Sequence, residues 1–124
     1  MTAARQTRHI LLVDDEEAIA YVFQRYLERA GYRVTALVDP LEALALGSLG
    51  GVDMLVTDYR MPGMSGASLV ARLRESHPGL PALIVTAYGA EVGVAADGVQ
   101  VLSKPLPPQD LVEAVAQALA PGQS

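Results

Sequence analysis

The sequence predicts one α/β domain built on an open parallel sheet with helices on both faces, and three observations carry that reading. Strand-like and helix-like segments alternate strictly, five times over, as they do when parallel strands are joined by crossover helices. Two of the strand segments, His9-Ile10-Leu11-Leu12-Val13 and Pro81-Ala82-Leu83-Ile84-Val85-Thr86, are continuous apolar runs, the pattern of strands covered on both faces. Four of the five strand segments end on a chemically useful group, Asp14-Asp15, Asp58, Thr86 or Lys104, and a parallel sheet gathers such ends along one edge. With 124 residues, 51% of them apolar, the chain fills one core and leaves no room for a second domain.

The elements follow in order. After a flexible polar leader at residues 1–8 comes the first strand, and the domain itself is expected at residues 9–120. Glu16 to Ala30 places Ile19, Val22, Phe23, Tyr26 and Leu27 at helical spacing, and Gly31 stands ready to cap that helix. Tyr32 to Val38 reads as a second strand, Pro40 to Leu46 as a helix, and Gly47, Gly50 and Gly51 as its stop. Met54-Leu55-Val56 delivers Asp58 to a strand end, after which Pro62, Gly63 and Gly66 enforce an irregular loop. Ser68 to Ser76 is a third helix. Gly89, Gly93 and Gly98 weaken any helix between the fourth strand and the fifth, Val99 to Ser103. Pro107-Pro108 opens a last helix through Leu119, and residues 121–124 read as a tail or the start of a linker.

Composition excludes several functions. A net charge of −5, with only nine scattered Lys and Arg, is unsuited to nucleic acid. Without cysteine there is no disulfide framework and no thiolate metal site. No segment has the length and apolarity of a signal peptide or a membrane span, so a cytoplasmic protein is expected. The converging strand ends point instead to phosphate chemistry. Three crowded carboxylates repel one another, a hard cation such as Mg2+ relieves them, and cation plus lysine prepare a site for a phosphoryl group. Aspartate is itself a recognised covalent phosphoryl acceptor.

Four motifs, each at a strand end and in the right order, resemble the receiver domain of two-component response regulators over nearly the whole chain. They are Asp14-Asp15, Asp58-x-x-Met61-Pro62-x-Met64-x-Gly66, Thr86-Ala87 and Lys104-Pro105. The resemblance implies a flavodoxin-like (βα)5 fold with strand order 2-1-3-4-5. It implies that Asp58 accepts a phosphoryl group from a phosphohistidine on a partner histidine kinase or phosphotransfer protein. Mg2+ would be held by Asp15, Asp58 and the backbone carbonyl of Arg60, with Asp14 helping directly or through water. Thr86 and the backbone amide of Ala87 would hold phosphoryl oxygens, and Lys104 would pair with the phosphate. Phosphorylation would then bias a docking face formed by the fourth helix, fifth strand and fifth helix, where a downstream effector is read out. Steady enzymatic turnover is not implied beyond self-phosphorylation from a donor and slow dephosphorylation.

Some residues depart from the family pattern. Val101 stands where the family usually has an aromatic switch residue, and Tyr88 is a candidate substitute. The interval from Thr86 to Lys104 is short by about one helical turn, so the fourth helix is expected to be truncated or irregular. Shortened receivers of this kind resemble those attached to hybrid sensor kinases and some that stand alone. Glu16 and Glu17 read as solvated charges at a helix start, where acids suit the macrodipole. His9 and His77 read as surface residues remote from the site. Two rivals remain: an unphosphorylated interaction module, and a haloacid-dehalogenase-type phosphatase, whose Asp-x-Asp pattern this chain lacks and for whose cap it has no room.

Overall fold

A computed structural model describes residues 7–87, Val92 and residues 98–120. Its strands are β1 (His9–Val13), β2 (Arg33–Leu37), β3 (Met54–Thr57), β4 (Ala82–Thr86) and β5 (Val99–Ser103). The helices among the described residues are α1 (Glu17–Arg29), α2 (Pro40–Ser48), α3 (Gly66–Ser76) and α4 (Pro108–Leu119). The helix expected between β4 and β5, Tyr88, residues 1–6 of the leader and the tail at 121–124 lie outside the described residues.

All strands pair in parallel, in the order β2-β1-β3-β4-β5. The chain runs from β1 outward to β2, then crosses back over β1 to β3. The strand order therefore reverses between β1 and β3, and the crevice above that reversal is the natural ligand site of a doubly wound sheet.

Side-chain alternation sorts the core into two layers. Ile10, Leu12, Met54, Val56, Leu83 and Val85 face α1 and α4, where they meet Phe23, Leu27, Leu111 and Val115. Leu11, Val13, Leu55 and Ala82 face α2 and α3, where they meet Ala43, Leu69, Val70 and Leu73. Both faces of the central strands are thus dry, as the continuous apolar runs predict. Each fully buried Leu or Ile contributes about 1.5–3 kcal/mol.

Three local readings need correction. Gly47 does not end α2; it is buried within that helix, where an added Cβ would lie 2.6 Å from Leu73 Cδ2. Its role is close contact between α2 and α3, and chain reversal falls to Gly50 and Gly51, whose φ angles of +91° and +83° suit glycine. α3 begins at Gly66, earlier than the periodicity indicates, because the Ser65 hydroxyl caps it by accepting from the Ser68 amide at 3.1 Å. His9 is buried. Its Nδ1 lies 2.8 Å from the Gly51 carbonyl oxygen and its Nε2 2.8 Å from Thr35 Oγ1, so the ring ties β1 to β2 and to the α2–β3 loop. Arg33 of β2 also approaches the ring, its guanidinium Nη2 lying 3.1 Å from Nδ1.

Candidate functional site

The site is an extension of the sheet. Hydrogen bonding continues one residue past three strands: the Asp14 amide donates to Leu37 O at 3.1 Å, the Asp58 amide to Val13 O at 2.9 Å, and the Lys104 amide to Thr86 O at 2.9 Å. Asp14 and Asp58 are fixed side by side at the carboxyl edge, above the reversal between β1 and β3, and Lys104, two strands from Asp58, reaches both with its side chain.

The Asp58 loop is held by two devices. The Gly66 amide donates to Tyr59 O at 2.7 Å, closing the irregular segment, and a Cβ at Gly66 would collide with the carbonyl oxygen of Asp58. Glycine is required there by contact. Thr57 is buried on the α3 side, and its hydroxyl donates to Asp58 O at 2.8 Å.

Lys104 is the hub of the site. Its Nζ lies 3.0 Å from Asp14 Oδ2, 3.4 Å from Asp58 Oδ2 and 3.6 Å from Glu16 Oε1. The other Asp14 oxygen accepts from the Glu16 amide at 2.9 Å, and Asp58 Oδ1 accepts from the Tyr59 amide at 2.7 Å. Each inner carboxylate thus has one oxygen held by backbone and one turned to the ammonium. Among the described residues no buried side-chain nitrogen or oxygen lacks a partner.

The electrostatics follow from burial. Loss of water pushes the Asp58 carboxyl above its ordinary value of 3.8, and the Asp14 charge adds to this, while Lys104 and the Tyr59 amide pull the other way and lose. Burial also disfavours the Lys104 ammonium, but the hydrogen bond and charge of Asp14, and then those of Asp58, outweigh it and hold Lys104 above 10.5. Three carboxylates against one ammonium leave an excess of negative charge in a half-buried space. One oxygen from each of Asp14, Glu16 and Asp58 lies within 4.8 Å of the others, an all-oxygen donor set that fits a hard divalent cation.

The remaining sequence-predicted residues surround this centre. Thr86 is fully buried at the end of β4, and the exposed Ala87 borders a hollow of about 630 Å3 that it shares with Lys104, Ile19, Val22, Phe23 and Pro105. Asp15 is exposed and lies outside the trio of close carboxylate oxygens. It lines a separate cleft of about 440 Å3 with Tyr59, Arg60, Met61, Pro62 and Ser65. Glu16 is exposed, as a helix-start charge should be, and in addition reaches Lys104, a contact the sequence does not indicate. Only the acid run Asp14 to Glu17 hints at this, and nothing in that run says whether Glu16 or Glu17 reaches the lysine.

The profile of the response regulator receiver domain matches residues 10–116. The chain belongs to that family. It is similar to the receiver domain of the hybrid histidine kinase CckA, with 34% identity, a TM-score of 0.80, and coverage of 90% of this chain and 98% of that one. The uncharacterized transcriptional regulatory protein YkoG of Bacillus subtilis is 40% identical over 79 residues, 64% of this chain and 35% of that protein. The cyclic di-GMP phosphodiesterase response regulator RpfG of Xanthomonas campestris is 34% identical over 111 residues, 83% of this chain and 29% of that protein. The chain spans about a third of the length of these curated relatives. It is thus a receiver domain of two-component signalling, with the CheY-like flavodoxin fold. Receiver domains are in general signalling modules rather than enzymes, and they interact with histidine kinases or phosphotransfer proteins. No helix among the described residues is long and apolar enough to cross a membrane.

Proposed function

We propose that this receiver, spanning residues 9–120, is a phosphorylation-dependent switch in which Asp58 takes a phosphoryl group from a phosphohistidine on a partner kinase or phosphotransfer protein. One carboxylate oxygen of Asp58 forms the bond to phosphorus as the P–N bond breaks, and the imidazole leaves with the electron pair. The observation that carries this reading is the contact of Lys104 Nζ with both Asp14 Oδ2 and Asp58 Oδ2, at 3.0 and 3.4 Å. A fixed ammonium beside a half-buried carboxylate is what an incoming phosphoryl group needs in order to be received rather than repelled.

Mg2+ held by Asp15, Asp58 and the Arg60 carbonyl, with Asp14 beside them, would neutralise charge on the transferring oxygens. The all-oxygen cluster of Asp14, Glu16 and Asp58 and the excess negative charge support a hard divalent cation beside Asp58, and Asp15 and Arg60 line the adjoining cleft. Once Asp58 is modified, Lys104 pairs with the phosphate, and Thr86 with the Ala87 amide holds its remaining oxygens. The added charge of about −1.5 to −2 then redistributes these contacts. Because the Lys104 amide is bonded to Thr86 O, the ends of β4 and β5 respond together, and the readout for an effector lies on the surface of β5 and α4.

Intact mass after incubation with Mg2+ and acetyl phosphate or phosphoramidate tests the proposal. A single-phosphate adduct that requires Mg2+ and is absent from Asp58→Ala is the expected result. No adduct, together with failure to bind beryllofluoride, would overturn it in favour of an unphosphorylated interaction module.

A further inference from the structure

Glu16 occupies the N-cap of α1 with φ −93° and ψ 104°, yet its side chain makes no capping hydrogen bond. An acid serving only the helix dipole would lie over the free amides of the first turn. Glu16 instead reaches across to β5, placing Oε1 3.6 Å from Lys104 Nζ. The three carboxylates on Lys104 are not equivalent. Asp14 and Asp58 approach from inside, with side chains 4% and 11% exposed, while Glu16 is 63% exposed and approaches from the mouth.

That asymmetry matters when a divalent cation enters. A cation held by Asp58 with Asp14 beside it, as proposed above, would draw on the two carboxylates that Lys104 contacts here at 3.4 and 3.0 Å. An ammonium with no other partner would stay on them and compete. We propose that Glu16 is a positioning residue for Lys104: it holds the ammonium toward the mouth of the site, so that Asp14 and Asp58 release oxygens to the cation. This rests on the metal-dependent reading above and assigns Glu16 a role through Lys104, not as a ligand.

The test is Mg2+ affinity by calorimetry in wild type, Glu16→Gln, Glu16→Asp, Glu17→Gln, Lys104→Met and the Glu16→Gln/Lys104→Met double variant. Glu17 lies one residue further along in the first turn of α1 and reports what a general loss of charge does. For a pair this exposed, Glu16→Gln should weaken Mg2+ binding about two- to fivefold, clearly more than Glu17→Gln, and Glu16→Asp should restore part of the loss. In the Lys104→Met background Glu16→Gln should change nothing further. Equal effects of Glu16→Gln and Glu17→Gln would overturn the proposal. So would an undiminished Glu16→Gln effect without Lys104, which would mean that Glu16 acts on the cation directly. Wild type that binds no Mg2+ would remove the metal reading and this inference together, whereas wild-type binding with an unmoved Glu16→Gln would remove this inference alone.

Discussion

Replacing Gly66 by alanine puts a methyl group against backbone that has nowhere to go. The new Cβ would overlap the carbonyl oxygen of Asp58 and lie 3.1 Å from both Asp58 C and Thr57 Cγ2. Forcing an extra carbon into packed surroundings costs about 1–3 kcal/mol. If the loop yields by lengthening the 2.7 Å bond from the Gly66 amide to Tyr59 O, a further amount of about 0.5–1.5 kcal/mol is lost. Alanine's advantage over glycine inside a helix, about 0.8–1 kcal/mol, works in the opposite direction. The net expectation is destabilisation by about 1–3 kcal/mol, read as a lower urea midpoint by circular dichroism in metal-free buffer. The same displacement moves the carboxylate of Asp58 away from Lys104, so the yield of aspartyl phosphate from a small donor should fall in the fraction that remains folded. A variant as stable as wild type, or stabilised by the helix-propensity gain alone, would refute the claim that contact with Asp58 is why glycine stands there.

Asp58→Asn should be more stable than wild type at pH 7 in the presence of a chelator. The folded chain holds the Asp58 proton above 3.8, so between 3.8 and that raised value folded protein binds more protons than unfolded, and wild-type stability falls as pH rises. The advantage of the variant should be absent below 3.8, grow through that window and stay constant above it; paired urea titrations at several pH values check this, and no advantage at pH 7 would contradict the burial argument. His9→Phe keeps an aromatic ring but strands the Gly51 carbonyl and the Thr35 hydroxyl, and should lower stability by about 1–3 kcal/mol in the same assay while leaving labelling of Asp58 intact.

Most of the fold was legible because it depends on periodicity and strand-end chemistry. The runs His9–Val13 and Ala82–Thr86 are buried at every position, as a two-faced sheet demands. The convergence of Asp14, Asp58 and Lys104 follows from parallel topology, which gathers the carboxyl ends of the strands on one edge. What escaped was local and directional. Gly47 reads as a stop because glycine usually is one, and only the approach of Leu73 reveals a packing role. His9 reads as a surface residue because imidazole is polar, yet partners from two other segments allow its burial. Within the acids from Asp14 to Glu17 composition cannot choose which faces Lys104, since the choice is made by rotamers and by the Asp14 turn that accepts the Glu16 amide.

The pairing of Lys104 with Asp14 joins positions separated by 90 residues. During synthesis the acidic half of the site leaves the ribosome long before its cation does. Asp14 and Asp58 follow β1 and β3, whereas the ammonium that reconciles them comes only with the residue after β5. A chain that stops short of Lys104 therefore carries the two carboxylates without the cation that lies between them.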